Sequence, residues 1–418
     1  MRISSVTMYE QSAASINRQQ GEFLKISQQM ASGRRVVNPS DDPQAASRAV
    51  GVDQSRAVTQ QYADSRISAR NSLSQTESIL NSVSDAVTSA KTLLIQASSD
   101  TLSDVDRESI ASELHGVYET MIGQANATDG NGRYLFGGYA DNAPPFVKEA
   151  NADPDAAPNV KYKGDSNARE QRIDASRKMP VTSNGEDIFM SVPSGAGYVA
   201  DAPSSNEGSV TFGGPQVADV NDDNYGDNFA VSFDDSSGAM EVIVNNLDDT
   251  TNNPVVKQAY TGNGEDSQTV SFGGLDITLE GEPKSGDTIA VSKAGSDQHP
   301  PDLFKTMEEA IRVLEAPNED PQATADFRNT VNTAMRDLDN ALDNALTVRA
   351  SAGARLNELD VVDGVGANRM QNYDQTLSNL VDLDYVDAIS EYSLRQVGMQ
   401  ASQQAFVNIK GSSLFDYL

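Results

Sequence analysis

Chemistry in this chain would have to start from two histidines, one acidic loop or one glycine-rich stretch. His115 sits beside Leu114 in a helical pattern, and His299 precedes Pro300-Pro301 in a linker-like segment, far away in sequence. A surface or helix-flank place is expected for each, rather than paired acid–base work. Asp219-Val220-Asn221-Asp222-Asp223-Asn224 begins like a calcium-binding loop. Asn224 stands where that loop needs glycine and Ala230 where it needs a bidentate glutamate, so a solvated acidic loop is the better reading. Gly195-Ala196-Gly197-Tyr198-Val199-Ala200 imitates a dinucleotide fingerprint but lacks the following helix. Asn126-Ala127-Thr128 is a sequon inside a helical run. No nucleophile-elbow, Walker A or zinc-protease pattern occurs. The expectation is no enzyme, no cofactor and no metal.

The elements around these residues carry more information. Phe327, Val331, Ala334, Leu338, Ala341, Ala345, Val348, Ala352, Leu356 and Leu359 alternate spacings of four and three. A 3.5-residue apolar repeat of this length puts one narrow stripe on a long helix, and the stripe must bury itself against other helices. Polar residues such as Asn329, Asp337, Asn340 and Asp343 fill the gaps and read as the solvated side. Leu73, Thr76, Leu80, Val83, Val87, Ala90, Leu94 and Ala97 repeat the pattern in the first half of the chain. The two runs are expected side by side in an antiparallel bundle. Ser103 should start a further helix, and Asp42-Pro43, Pro301-Asp302 and Asp320-Pro321 others, because a carboxylate or hydroxyl caps free N–H groups and proline lacks one. Gly364-Val365-Gly366 should break the long C-terminal helix.

From about 143 to 300 the chain turns rich in Asp, Asn, Gly, Ser and Pro, with short alternating apolar runs that indicate an all-β domain. Val210-Thr211-Phe212-Gly213-Gly214 recurs as Val270-Ser271-Phe272-Gly273-Gly274. Gly226-Asp227-Asn228-Phe229 recurs at the same offset as Gly286-Asp287-Thr288-Ile289. A duplicated strand–turn–strand unit is expected. The fold class is therefore α+β: a long antiparallel helical bundle or coiled coil formed by both chain ends, with an inserted all-β domain. The expected division is 1–42 with 366–418, 43–142 with 301–365, and 143–300.

Composition narrows the partners. The net charge is −30, with 27 acids against 10 bases in residues 141–300 but 15 against 12 in residues 1–140. An acidic surface repels nucleic acid and anionic membrane, so neither is expected. Cysteine is absent, which excludes disulfides and thiol chemistry. The first residues lack the apolar core and cleavage site of a Sec signal.

The two end segments are weak helices. Tyr9, Ala13, Ile16, Phe23 and Met30 form one diluted stripe; Tyr385, Ile389, Tyr392, Leu394, Val397, Ala401, Ala405 and Ile409 form another. Neither would stay folded alone. Neighbouring subunits could supply the missing burial, or the two ends could pair within one chain.

Ser32-Gly33-Arg34-Arg35-Val36-Val37-Asn38-Pro39-Ser40-Asp41-Asp42-Pro43-Gln44-Ala45-Ala46 resembles the N-terminal signature of the flagellin family, and Ala354-Arg355-Leu356-Asn357-Glu358-Leu359 its C-terminal one. Gly132-Arg133-Tyr134-Leu135-Phe136-Gly137-Gly138-Tyr139, Pro144-Pro145-Phe146 and the ending Ser413-Leu414-Phe415-Asp416-Tyr417-Leu418 point within that family towards members at the hook–filament junction. The resemblance covers about 1–146 and 301–418. It implies an extracellular structural subunit, exported without a cleaved Sec signal through the flagellar type III apparatus. Implied partners are copies of itself, a second junction protein on the hook side, flagellin on the filament side and a cytoplasmic export chaperone. It implies axial stacking through the two end stripes and an inter-layer turn at Asn38, Pro39, Asp41, Asp42 and Pro43. The chaperone would grip Leu394, Val397, Ala401, Ala405 and Ile409. A filament subunit is the alternative within the family, and a coiled-coil adhesin the one outside it.

Overall fold

The computed structural model describes residues 5–99, 102–149, 160–251, 253–262, 266–318 and 320–411. Helices occupy both ends of the chain and strands its middle, as the patterning requires. Helix α1 (Ser5–Ser32) stops at Gly33, whose φ of 67° suits glycine. Helix α2 (Pro43–Ala97) opens where Asp42 Oδ1 accepts the N–H of Ala45 at 3.0 Å. Helix α3 (Asp104–Ala125) opens on a capping box between Ser103 and Asp106. After the short α4 (Gly185–Phe189), helix α5 (Leu303–Glu315) is capped by Asp302, which accepts from Phe304 and Lys305. Helix α6 (Pro321–Val381) starts under Asp320, and α7 (Tyr385–Gly411) under Asp384.

The chain divides into two compact units: unit 1 comprises Met1–Arg66 with Asp360–Leu418, and unit 2 Ile67–Leu359. In unit 2, α2 and α6 run antiparallel, tied by Lys91 to Asp339 and by Arg349 to Glu77 at 2.8 Å. The two heptad stripes meet there: Leu80, Val83, Val87, Leu94, Val331, Ala334 and Leu338 share one core with α3 and α5. The Leu135-Phe136 stretch ends in that core. Phe136, Phe146, Phe189 and Phe304 stack at centroid distances of 5.1–5.9 Å. Asn126, the sequon residue, caps α3 and exchanges two hydrogen bonds with the backbone of Phe146. Its role is structural.

The β region has two small hairpins, β1 (Phe146–Lys148) with β2 (Val160–Tyr162) and β3 (Glu170–Asp174) with β4 (Arg177–Pro180). Two larger antiparallel sheets follow. One has the order β5 (Tyr198–Asp201), β12 (Thr288–Lys293), β7 (Phe229–Asp234), β8 (Glu241–Asn246), β9 (Val256–Ala259); the other is β10 (Ser267–Phe272), β11 (Leu275–Glu280), β6 (Thr211–Val217). Alternate residues Phe229, Val231, Phe233, Val270, Phe272, Ile277 and Leu279 enclose a second core.

The sequence duplication is only half a structural one. Its second elements, β7 and β12, are paired neighbours. Its first elements diverge: Gly273-Gly274, both at positive φ, turn the chain tightly from β10 into β11. The matching Gly213-Gly214 instead lies inside β6, where the register against β11 slips between Asp276 and Thr278. Pro215 follows Gly214 where the second copy has Leu275, and the strand continues through a bulge.

Two expectations need correction. Helix α6 runs unbroken through Gly364 and Gly366 to Val381. Two glycines cost the helix roughly 1 kcal/mol each, which the flanking helix and its packing outweigh. Gly366 also has a packing reason, because a Cβ there would meet Arg66 Nη2 at 2.6 Å. Arg66, 3% exposed, pairs with Asp363 across unit 1. The second correction concerns the polar positions of α6. Asn329, Thr333, Asn340 and Asn344 are buried. Asn329 bonds the backbone of both Val210 and Phe212, Asn332 donates to Phe212 O, Thr333 to Ala200 O and Asn344 to Ile188 O. The helix thus covers the open edge of β6 with side-chain amides in place of another strand.

Candidate functional site

Unit 1 has very little core of its own. Ile26, Val36, Ala45 and Ala388 are its buried apolar residues among those described. Among the described residues, thirteen of its large apolar side chains are exposed, against nine in the much larger unit 2. Exposed apolar surface concentrated in a unit with so little core makes it the candidate interaction site.

Helices α1 and α7 pack on each other. Tyr9 meets Phe406 at 5.2 Å between ring centroids and Phe23 meets Tyr392 at 4.9 Å, while Arg395 pairs with Glu22. The α1 stripe expected from the sequence faces this contact: Ala13, Ile16, Phe23 and Met30 are half-buried and Tyr9 is 48% exposed. On α7 the residues turned inward are Ala388, Tyr392, Arg395, Met399, Ser402 and Phe406, again at spacings of four and three. At 3.6 residues per turn, Leu394, Val397 and Ala401 lie on roughly the opposite face. Leu394 is 73% exposed, Val397 63% and Ile389 52%; Ala401 and Ala405 are exposed as well. The side chain of Ile409 and residues 412–418, with the ending noted above, lie outside the described residues. A cleft of about 290 Å³ opens between the helices, lined by Gln19, Glu22, Glu391, Leu394, Arg395 and Gly398. Phe406 and Met399 escaped the sequence reading. The heptad counted back from Phe406 would have found them.

The turn between α1 and α2 is a clasp. Asp41 Oδ2 accepts from Asn38 N at 2.8 Å and Val37 N at 3.2 Å, and Lys25 reaches its other oxygen at 3.0 Å. The Asn38 bond and Lys25 hold the Asp41 carboxyl below its usual range. The N–H of Ala45 and the Arg35 guanidinium do the same for Asp42. Arg35 crosses to the α6–α7 corner, donating to Leu380 O at 2.6 Å, and its N–H reaches Val381 O at 2.8 Å. Leu383 N returns to Gly33 O at 3.0 Å. Asn38, Pro39 and Pro43 are exposed at the outer side of this loop. The N-terminal signature thus fastens the α1–α2 corner to the α6–α7 corner.

The histidines stay apart. His115 is exposed on α3, with Glu119 at 3.9 Å. His299 is a correction: it is largely buried, 3.0 Å from both oxygens of Asp337. In the acidic loop Asp219 and Asp222 accept from backbone N–H groups two residues on, which folds the loop upon itself. Among the described residues no cluster of three or more His, Asp or Glu is arranged to hold a metal, and no helix is long and apolar enough to cross a membrane.

Residues 3–141 match the family described as the bacterial flagellin N-terminal helical region. Over 416 residues, 99% of each chain, the sequence is 32% identical to flagellar hook-associated protein 3 of Escherichia coli (strain K12). It is 30% identical to the Salmonella typhimurium protein of that name, again over 99% of both chains. The crystal structure of Xanthomonas campestris FlgL matches with a TM-score of 0.65 at 26% identity, covering 78% of this chain and 99% of that one. Hook-associated protein 3 from Legionella pneumophila matches in fold with a TM-score of 0.67 at 24% identity, covering 79% and 98%. By end-to-end similarity of sequence, and by a helical-ends, β-middle fold in common, the chain belongs to the flagellar hook-associated protein 3 family.

Proposed function

We propose that the chain is a structural subunit of the bacterial flagellum, forming the adaptor zone between hook and filament by axial stacking of its terminal helices. The observation that carries this reading is the thin core and apolar surface of unit 1, in a chain similar end to end to hook-associated proteins. A unit built this way gains its burial from neighbours.

In this reading 1–42 with 366–418 stack, 43–142 with 301–365 form the rod, and 143–300 face outward. The α1 stripe serves first to seat α7. The face carrying Ile389, Leu394, Val397, Ala401 and Ala405 meets other subunits: copies of the chain, the second junction protein on the hook side and flagellin on the filament side. Before export through the type III apparatus, the same face of α7 suits an export chaperone. The role is mechanical and involves no catalysis. The filament-subunit alternative draws less support, because the full-length relatives carry the hook-associated name.

Immunogold labelling of sheared, hook-bearing flagella with an antibody to residues 143–300 tests the reading. A single band at the hook–filament boundary is expected. Label along the whole filament would make the chain a filament subunit, and label confined to the cell body would remove it from the flagellum.

A further inference from the structure

Strands β5–β12 and the helices of unit 2 each enclose their own apolar core, with Phe146 of β1 and Val160 of β2 in the helical one. Much of what joins them is polar: the side-chain amides of α6 on strand backbone, and one ion pair at the connector between β12 and α5. That connector makes a tight turn, with Ser296 N bonded to Lys293 O, His299 N to Ser296 O and Gly295 N to His299 O. It leaves the turn through Pro300-Pro301, a stiff exit that couples any movement of His299 to the start of α5. At its C-terminal end the His299 ring points onto α6, its Nε2 at 3.0 Å from both Oδ1 and Oδ2 of Asp337. Both side chains are largely shielded, 15% and 17% exposed.

We propose that the His299–Asp337 pair is a pH-sensitive latch that fastens the connector, and with it the β region, to the rod helix α6. With the ring protonated, one charged N–H is shared by two carboxylate oxygens in a shielded site, where such a bond is at its strongest. When the ring loses its proton the tautomer with N–H at Nε2 still donates, but the charge is gone and the shielded carboxylate faces a neutral partner.

The surroundings set the direction. Burial pushes the imidazole down, but the bond and charge of Asp337, with Asp201 on β5 behind it, outweigh burial and the opposing Lys305 on α5. The ring therefore titrates above its ordinary value of 6.5. Glu309 on α5 faces Lys305, Asp201 and Arg312, and burial raises it too. A histidine raised in the folded state adds stability that is full below the unfolded value and is lost as pH climbs through the folded one. The latch is closed in mild acid and loosens in alkali.

The full-length chain offers a clean test, because it has two histidines and two resolvable imidazole signals. Histidine-selective 13C NMR, with the His299 signal assigned by its survival in His115→Gln, should find the His299 ring titrating above about 6.5, and Asp337→Asn should lower its midpoint by about one unit or more. Between pH 6 and pH 8.5, hydrogen exchange at amides 294–302 should accelerate severalfold beyond the intrinsic base-catalysed rise. His299→Gln should remove that excess. A wild-type midpoint at or below 6.5 overturns the latch, and so does an excess unchanged in His299→Gln. If the variants misfold by circular dichroism, the wild-type midpoint decides alone.

Discussion

Asp302 caps α5 with two hydrogen bonds, yet burial pushes its carboxyl up to about 6 against an ordinary 3.8. An acid raised in the folded state binds its proton more tightly there, so its contribution favours folding at low pH and fades as pH rises from 3.8 through 6. Asn caps equally well and does not ionise. Asp302→Asn should therefore flatten the thermal stability of unit 2 between pH 4 and pH 7, removing a slope on the order of 1–3 kcal/mol. An unchanged slope would assign the titration to other groups. This window lies below that of His299, so the two are separable. At this scale the caps were legible, because Ser103, Asp42, Asp302 and Asp320 act on their own next few residues. His299 was not: its partner is Asp337 on another element, and local sequence carries no trace of that pairing. The buried amides of α6 failed for the same reason. An Asn read alone looks solvated, and the partners of Asn329 and Asn344 are backbone groups that any sequence would supply.

Helices show where periodicity suffices and where it misleads. The stripes of α2 and α6 are long enough to fix one face, and cysteines at Val83 and Ala345 should be joined within a single chain by a short bifunctional maleimide, because the ion pairs of this antiparallel packing bracket both positions. Crosslinks appearing between chains alone would refute that register. In α7 the apolar residues are spread round the helix, so counting them did not reveal which face meets α1. That was decided by Phe406 and Tyr392, the side chains large enough to stack on Tyr9 and Phe23. Leu394→Asp combined with Val397→Asp should leave helix content unchanged and abolish incorporation into isolated hook–filament junctions. Full incorporation would free that face from any role in assembly. Two glycines in α6 make a sharper pair. A Cβ at Gly364 meets nothing within 4 Å, so Gly364→Ala should stabilise unit 1 by about 1 kcal/mol. At Gly366 the same methyl presses on the buried Arg66 guanidinium, and Gly366→Ala should lose that gain or destabilise. Equal shifts in melting temperature would mean that Arg66 gives way freely.

The two units differ in how much they bury, and heating should separate them. Unit 2, with both apolar cores, should melt late and cooperatively; unit 1 should lose its helicity first, and its amides should exchange fastest. A single sharp transition for the isolated chain would contradict this. The division into helical ends and a β middle was readable because patterning and composition change abruptly near 143 and 300. The strand order was not, since near-identical motifs at Phe212 and Phe272 follow different paths, the first continuing into Pro215 where the second has Leu275.

The clasp between Arg35 and Leu380 joins residues 345 positions apart, and the Glu22–Arg395 pair spans 373. A chain delivered from its N-terminus therefore exposes the α1 stripe long before α7 arrives to cover it. Unit 2 is drawn entirely from Ile67–Leu359, so all of it has been delivered before α7. In such a delivery the α1 stripe finds its cover within its own chain only once the tail has followed.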